Sequence, residues 1–400
     1  GSLRRVDDHL AVQVSVEGMA TGEPIWSAQL ERPAAQLLDI QQQVIEAVCG
    51  ALVNQLSSEQ RAQLRQRPTE NEQAWALYQR ALRWTDEWTL AAAETAIGQL
   101  EEATRLDPKF ALAYAALSDA YWGPTQMAQL PVDEALPKAR GAVDKALAID
   151  PNLSEAWASA GIIAAQFDWE PEKALRLGRR AVELDPNSVL AWTNLSQYYM
   201  VFDPGNPEAK KVNDTLVKLN PIAPWLVAYP AALAVNAYHT LRQPALLDEA
   251  LTALEPAKKL GPNLWVLHGQ ECRALMWKGR HAEAVAACQR AVEYSDGSLE
   301  NHPYLAVAYA TAGQRDQALG ILRELEQEAQ KRYLPPFWFA IVHAALGNRE
   351  ECIEAVERGI RVRDWYMVWE LDDPVFDLVR DDPRYQAAFR ELRIPAPATE

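Results

Sequence analysis

Two groups of residues in this sequence carry side chains that could do metal or acid–base chemistry. The first is Asp372–Arg384, DDPVFDLVRDDPR, which holds five aspartates. It lacks the central glycine and the ligand spacing of a calcium-binding loop. Each Asp-Pro pair, Asp373-Pro374 and Asp382-Pro383, instead has the residue types of a helix N-cap followed by a first-turn proline. We therefore expect two short helices that cover the end of the fold, since exposed ends of repeat arrays need a polar lid.

The second group contains histidines and cysteines. His268 and Cys272 are four residues apart, which would place them on one face of a helix, and Cys288 and His302 follow. These four side chains could together bind a metal ion, but the sequence lacks the two paired ligand motifs that enclose a metal in a typical zinc site. We expect them to occupy packing positions instead.

The sequence contains no recognisable motif of a catalytic or phosphate-binding site. It has no glycine-rich phosphate loop, zinc-protease motif, nucleophile elbow, or kinase or cyclase signature. We predict a non-catalytic chain with no catalytic residues, no metal and no cofactor. The formal net charge of −16 repels phosphate backbones, which argues against direct nucleic-acid binding. The most apolar stretch, from Trp225 to Tyr238, is too short to span a bilayer, so we expect no membrane insertion.

The middle of the chain repeats itself. Leu-Asp-Pro-like motifs recur at intervals of 43, 35, 35 and 41 residues, and further on a glycine recurs twice at an interval of 34. The residues that mark these positions are Pro108, Pro151, Pro186, Pro221, Pro262, Gly279, Gly313 and Gly347. A period of 34 residues with two helices and a tight turn is typical of the tetratricopeptide repeat. We predict a mostly α fold, an α–α superhelix of about eight such repeats with a small, partial α/β segment at the N-terminus.

The N-terminal residues do not repeat. Leu10–Val16 alternates as a half-buried strand does, a second short strand is expected over Ile25–Leu30, and Leu37–Leu56 has one apolar face of a helix. The sequence thus divides into a partial α/β segment, a linker, the repeat array and a C-terminal helical cap. Their predicted bounds are residues 1–57, 58–70, 71–360 and 361–400.

The two ends of the chain resemble a known arrangement. GSLRRVDDHLAVQVSV, TGEPIWSAQLERP and LLDIQQQVIEAVCGAL resemble the last part of a TolB-like α/β domain. That domain precedes tetratricopeptide arrays in bacterial signalling proteins such as winged-helix transcriptional regulators and adenylate cyclases. YLPPFWFAIVHAALGNREECIEAVERGI and DDPVFDLVRDDPRYQAAFREL resemble the closing segment of those arrays. The resemblance implies the sensory or partner-binding part of a larger regulator, on the cytoplasmic or periplasmic side of a bacterial inner membrane.

A binding surface is expected along the first helices of the repeats. Stacked repeats present these helices as one extended surface that suits peptides and protein segments. The side chains predicted there are mostly small or apolar, which argues against a site for an acidic C-terminus. We expect a protein or peptide partner or a small apolar ligand, unless the chain fills the surface with its own C-terminal helices. The predicted contact residues are Trp122, Ile162, Gln197, Met200, Trp225, Arg273 and Trp277.

Two other functions stay open at this point: a structural scaffold that joins copies in a homo-oligomer, and the regulatory part of an adenylate cyclase. The repeat template also brings Cys272 and Cys288 onto facing positions of one helix pair. We expect their Cα atoms within the disulfide range of about 4.4–6.8 Å. Whether the bond forms stays open, because buried thiols also pack well unoxidised.

Overall fold

The computed structural model describes residues 2–17, 24–33, 40, 43–45, 48, 68–83, 90–126 and 132–395. After Pro33 the described residues contain no strand. Among them, every helix is too short or too polar to cross a lipid bilayer.

The N-terminal part is a three-stranded antiparallel sheet in the order β1-β2-β3. Its strands are β1 (Ser2–Val6), β2 (His9–Glu17) and β3 (Pro24–Pro33). β1 was not predicted, because its two adjacent arginines obscure the alternation of polar and apolar residues. The predicted helix over Leu37–Leu56 lies mostly outside the described residues, and the described positions 40, 43–45 and 48 are helical.

Eight successive helix pairs follow in the described chain, which confirms the predicted superhelix of about eight repeats. We number the pairs as repeats 1–8 and call their members first and second helices. Repeats 1–4 are α1 (Glu72–Ala81) with α2 (Leu90–Leu106), α3 (Ala111–Gln126) with α4 (Val132–Ile149), α5 (Ser154–Ile162) with α6 (Pro171–Leu184), and α7 (Val189–Phe202) with α8 (Pro207–Leu219). A π-helical turn, Ile163–Phe167, continues α5.

Repeat 5 has a split first helix, α9 (Pro224–Val227) and α10 (Tyr229–Leu241), which packs with α11 (Ala245–Leu260). Repeats 6–8 are α12 (Trp265–Trp277) with α13 (His281–Tyr294), α14 (His302–Thr311) with α15 (Arg315–Ala329), and α16 (Pro336–Leu346) with α17 (Arg349–Arg361). The C-terminal residues form α18 (Trp365–Glu370), a 3-10 helix (Pro374–Val379) and α19 (Pro383–Leu392).

The repeated Asp-Pro motifs form turns between repeats. The side chains of Asp107, Asp150 and Asp185 each accept a hydrogen bond from the backbone N–H two residues later, at 2.9–3.0 Å. Such a local bond stabilises the turn, while the proline prevents the second helix from continuing. The motif therefore fixes where each second helix ends and the next repeat begins.

Small residues let neighbouring helices approach closely around Tyr198. Its ring is fully buried and packs on Gly161 of α5 and Gly178 of α6. A Cβ atom added at Gly161 would lie 2.6 Å from the Tyr198 hydroxyl, and one at Gly178 would lie 2.9 Å from a ring carbon. Both glycines are thus required for repeats 3 and 4 to stack at this distance.

The C-terminal helices start as the Asp-Pro motifs predict. Asp373 accepts a hydrogen bond from the Val375 N–H, and Asp382 accepts one from the Arg384 N–H, each just before a proline. Both N-cap predictions are therefore confirmed. The buried side chains of these helices belong to the same apolar core as repeats 6–8.

Candidate binding face and buried charge cluster

The first helices of successive repeats pack against one another, from α3 through α5, α7, α10, α12 and α14 to α16. They form a continuous surface along the array, which we call the inner face. The second helices pack behind them. Any partner that spans several repeats on this face must contact residues of the first helices.

A segment of the chain itself already lies on this face. We call residues 363–377 the C-terminal segment. At its start, the Arg363 guanidinium donates to the Phe167 carbonyl and lies 4.9 Å from the ring centre of Trp169 in repeat 3. Further along, the Thr240 hydroxyl of repeat 5 donates to the Asp372 carboxylate at 2.8 Å. The segment therefore reaches repeats that precede it by more than a hundred residues.

Aromatic and acidic side chains hold this segment in place. The Tyr366 ring stacks on the Phe337 ring, with centroids 5.6 Å apart, and its hydroxyl donates to Glu300 at 3.1 Å. Asp364 accepts hydrogen bonds from the backbone N–H groups of Phe337 and Tyr366 at 2.8 and 3.2 Å. These contacts join the segment to repeats 7 and 8.

The centre of the contact is a cluster of buried charges. Glu370 of α18 accepts a hydrogen bond from Arg273 of α12. His239 of α10 lies beside them, with Nδ1 3.5 Å from an Arg273 nitrogen and 3.8 Å from an Asp372 oxygen. On the other side of the ring, Nε2 lies 3.4 Å from an oxygen of Asp373. All five residues are less than a tenth exposed.

Burial dominates the electrostatics of this cluster. Desolvation raises the pKa of Glu370 to about 8, against the opposing effect of the Arg273 charge. It raises the pKa values of Asp372 and Asp373 to about 6. Burial and the nearby arginines lower the pKa of His239 well below its ordinary range. The imidazole is therefore neutral at physiological pH, and the carboxyl groups hold their protons to a higher pH than in water.

The predicted contact residues do not share one environment. Ile162 is buried in the core between repeats 3 and 4, and Met200 is also buried. Trp122 is partly buried and donates its ring N–H to Asp119. Trp277 is partly buried between the cores of repeats 5 and 6. These four are enclosed by the repeats themselves.

The other three predicted residues differ in how open they are. Trp225 is 44% exposed and lies edge-on to the Tyr229 ring at 6.1 Å. Gln197 donates to the Tyr229 hydroxyl at 3.1 Å, so these residues form one patch across repeats 4 and 5. Arg273 is covered by the C-terminal segment. The patch at Trp225 is thus open to solvent, while Arg273 is buried and donates a hydrogen bond to Glu370 of the same chain.

His268 and the cysteines occupy packing positions. The His268 ring lies 2.8 Å from the Pro262 carbonyl, as the Trp157 and Trp192 ring nitrogens lie 2.8 Å from the carbonyls of Pro151 and Pro186. The same six-residue spacing places all three rings at the equivalent position of their repeats. The structure joins Cys272 and Cys288 by a disulfide, with Cα atoms 5.2 Å apart.

Sequence reasoning missed the cluster around His239. Its residues lie on α10, on α12 and after α17, so no local spacing brings them together. Two signals were present: a histidine and an arginine on apolar first helices, and three acidic residues within Glu370–Asp373. In the described chain, His239, Glu370 and Asp373 are the group of three side chains that could hold a metal ion.

Comparisons with known proteins bear on the repeats. No protein-family model matches this chain, and no curated protein matches it. A thermophilic tetratricopeptide-repeat protein of Thermus thermophilus is similar at 23% identity and a TM-score of 0.42, over 48% of this chain and 98% of that one. PilF of Pseudomonas aeruginosa is similar at 20% identity and a TM-score of 0.40, over 59% of this chain and 97% of that one.

PilW, a type IV pilus biogenesis factor, is similar at 19% identity and a TM-score of 0.40, over 58% of this chain and 96% of that one. The three matches cover between 48% and 59% of this chain. The fold assignment therefore rests on the helix pairs of this chain and their spacing.

Proposed function

We propose that this chain is a non-catalytic protein-binding repeat module and the partner-binding part of a larger bacterial signalling or transcriptional regulator. Its partner is a protein that presents a segment with aromatic and acidic side chains. The regulator context rests on the resemblance of the two ends of the chain. The chemistry of the partner rests on the inner face.

One observation carries the proposal: the inner face already holds a segment of this kind. The C-terminal segment inserts Tyr366 against an aromatic ring and sets Glu370 on the Arg273 guanidinium. Large aromatic anchors surrounded by satisfied polar contacts are also how partner residues are held at protein interfaces. This contact of the inner face with its own chain supports the proposal that the face binds a polypeptide.

The open patch at Trp225 is the proposed site of first contact with a partner. Trp225 is 44% exposed although it is a large aromatic residue, and Ile222 beside it is 73% exposed. Exposed aromatic and aliphatic side chains that adjoin polar groups such as Gln197 are typical of interaction sites.

We propose the same division of the chain as the sequence predicts, with the repeat array over residues 71–360.

Site-specific photo-crosslinking in the host cell tests this function. A photoreactive phenylalanine derivative at position 225 should give a discrete crosslinked product with a partner protein. The same residue at position 249, which is exposed on the second helix α11, is the matched control and should not. Trp225→Ala should then abolish co-purification of that partner, while Glu249→Ala should not affect it.

The outcome also separates the alternatives. A product with twice the mass of this chain, together with a dimer in light scattering, would favour the scaffold that joins copies. Equal crosslinking at positions 225 and 249, with no effect of Trp225→Ala, would refute the proposed interaction site.

A further inference from the structure

Three side chains that can ligate a metal converge where the C-terminal segment meets repeat 5. His239 comes from α10, Glu370 from the end of α18, and Asp373 from the residue before the 3-10 helix. One nitrogen or oxygen atom of each lies within 4.8 Å of the others. All three residues are buried, so water competes weakly for these atoms.

Two of these atoms have no hydrogen bond. The buried Nε2 of His239 and Oδ2 of Asp373 are both without a hydrogen-bond partner, although they lie 3.4 Å apart. A buried nitrogen and a buried carboxylate oxygen left unpaired are costly. A ligand between them would satisfy both.

The distance between the two atoms fits a metal ion. With ligands about 2.1 Å from a tetrahedral zinc ion, neighbouring ligand atoms lie about 3.4 Å apart. The other oxygen of Asp373 keeps its own role, since it caps the 3-10 helix through the Val375 N–H at 2.8 Å. Metal binding therefore does not require the helix cap to be broken.

The charge balance also favours a cation. The carboxyl groups of Glu370, Asp372 and Asp373 are buried beside a single buried guanidinium, that of Arg273. Arg242 lies at the edge of the cluster, where it donates to the Asp372 carbonyl and to Asp377.

We propose that His239, Glu370 and Asp373 bind one divalent transition-metal ion, with Zn²⁺ the best fit, and that this ion fastens the C-terminal segment to the inner face. A neutral imidazole and two carboxylates are ligands that zinc accepts. The other ring nitrogen, Nδ1, lies 3.5 Å from an Arg273 nitrogen and 3.8 Å from an Asp372 oxygen.

Arg273 stays beside the ion as a second partner of Glu370. A carboxylate has about four lone-pair sites, so Glu370 can accept from Arg273 and still ligate through its remaining positions.

Calorimetric titration of the chelator-treated full chain with zinc chloride tests the proposal. We expect one Zn²⁺ per chain. His239→Gln and Asp373→Asn should each weaken binding about tenfold or more. Asp373→Asn keeps an oxygen that can cap the 3-10 helix, so this variant separates ligation from folding. The control is His281→Gln, which changes an exposed histidine on α13 and should leave the affinity unchanged.

Two further measurements use the unmodified chain. Cobalt(II) bound in place of zinc should give the visible absorption of a tetrahedral site. Hydrogen exchange should show slower exchange of the backbone amides of α18 when zinc is present. An absence of stoichiometric binding, or an affinity that His239→Gln and Asp373→Asn leave unchanged in correctly folded protein, would overturn the proposal.

Discussion

Opening the bond between Cys272 and Cys288 should weaken repeat 6 by a calculable amount. The bond joins α12 to α13 across a sequence separation of 16 residues, and both cysteines are buried. Reduction removes the covalent link and leaves two thiols of nearly the same volume. The effect on stability should therefore come mainly from the unfolded state, which gains conformational freedom.

Loop-closure entropy sets the magnitude. Closing a loop of about 15 residues lowers the entropy of the unfolded chain by an amount worth about 3 kcal/mol at 25 °C. Strain in the folded state would reduce that figure, and buried thiols that pack well would not add to it. We expect the free energy of unfolding of the segment that contains repeat 6 to fall by about 2–4 kcal/mol on reduction.

Hydrogen exchange is the appropriate assay because repeats interact mainly with their neighbours. Backbone amides of α12 and α13 should exchange faster in the reduced chain, while those of α3 and α4 in repeat 2 should not change. Cys272→Ala/Cys288→Ala should reproduce the effect without reductant. Cys352→Ala is the matched control, because Cys352 is a buried free cysteine and its loss removes no link.

Two results would refute this reasoning. One is unchanged exchange of α12 and α13 on reduction. The other is a peptide map of non-reduced protein that lacks a linked pair containing Cys272 and Cys288. If the linked pair is found in protein taken directly from its native cell, the chain matures in an oxidising compartment, since cytosolic thiols are normally kept reduced.

Three further predictions test packing, electrostatics and the repeat motif. Gly161→Ala should destabilise the chain by about 1–3 kcal/mol in urea unfolding, because the new Cβ meets Tyr198. Gly141→Ala, which has open space around it, should instead stabilise by up to about 1 kcal/mol through helix propensity. Burial raises the pKa of Asp364 from 3.8 to about 7, so the folded chain holds this proton over a pH range in which the unfolded chain has released it. Stability should therefore decrease as pH rises from 3.8 to about 7 and level off above that. The melting temperature in high salt should fall over this interval, and a flat profile that Asp364→Asn does not alter would contradict the assignment. Trp192→Phe removes the ring N–H donated to the preceding turn and should lower the free energy of unfolding by about 0.5–1.5 kcal/mol; equal stability would show that the bond is replaced by water.

The repeats could be predicted from sequence because their determinants are local. A turn motif such as Asp150-Pro151 and a left-handed glycine such as Gly313, with φ of +76°, act on the residues next to them. Their regular spacing therefore gives the helix pairs and their number. The same spacing predicts His268 at the aromatic position of repeat 6, where its ring contacts the carbonyl equivalent to those that the tryptophans of repeats 3 and 4 contact.

The buried charge cluster could not be predicted, because its contacts join distant parts of the chain. Thr240 and Asp372 are 132 residues apart, and Arg273 and Glu370 are 97 apart. Neither a helical period nor a turn motif determines which distant segment packs against a given surface. The sequence left open whether the inner face holds a partner or the chain's own C-terminal helices, and the structure places the C-terminal segment there.

This self-contact changes how a partner can use the inner face. A tethered segment acts at an effective concentration of about millimolar, so any partner that needs Arg273 must compete with Glu370 for it. The open patch at Trp225 is free of this competition, and a partner that binds there is held close to the part of the inner face that the segment covers. The apparent affinity of a partner for this covered part is lowered according to the fraction of time that the segment occupies it. A metal ion that fastens the segment through His239 would raise that fraction, so zinc binding should oppose partner binding to the covered part of the inner face. Chelator should therefore strengthen partner binding measured on the intact chain, whereas it should have no effect in the His239→Gln variant.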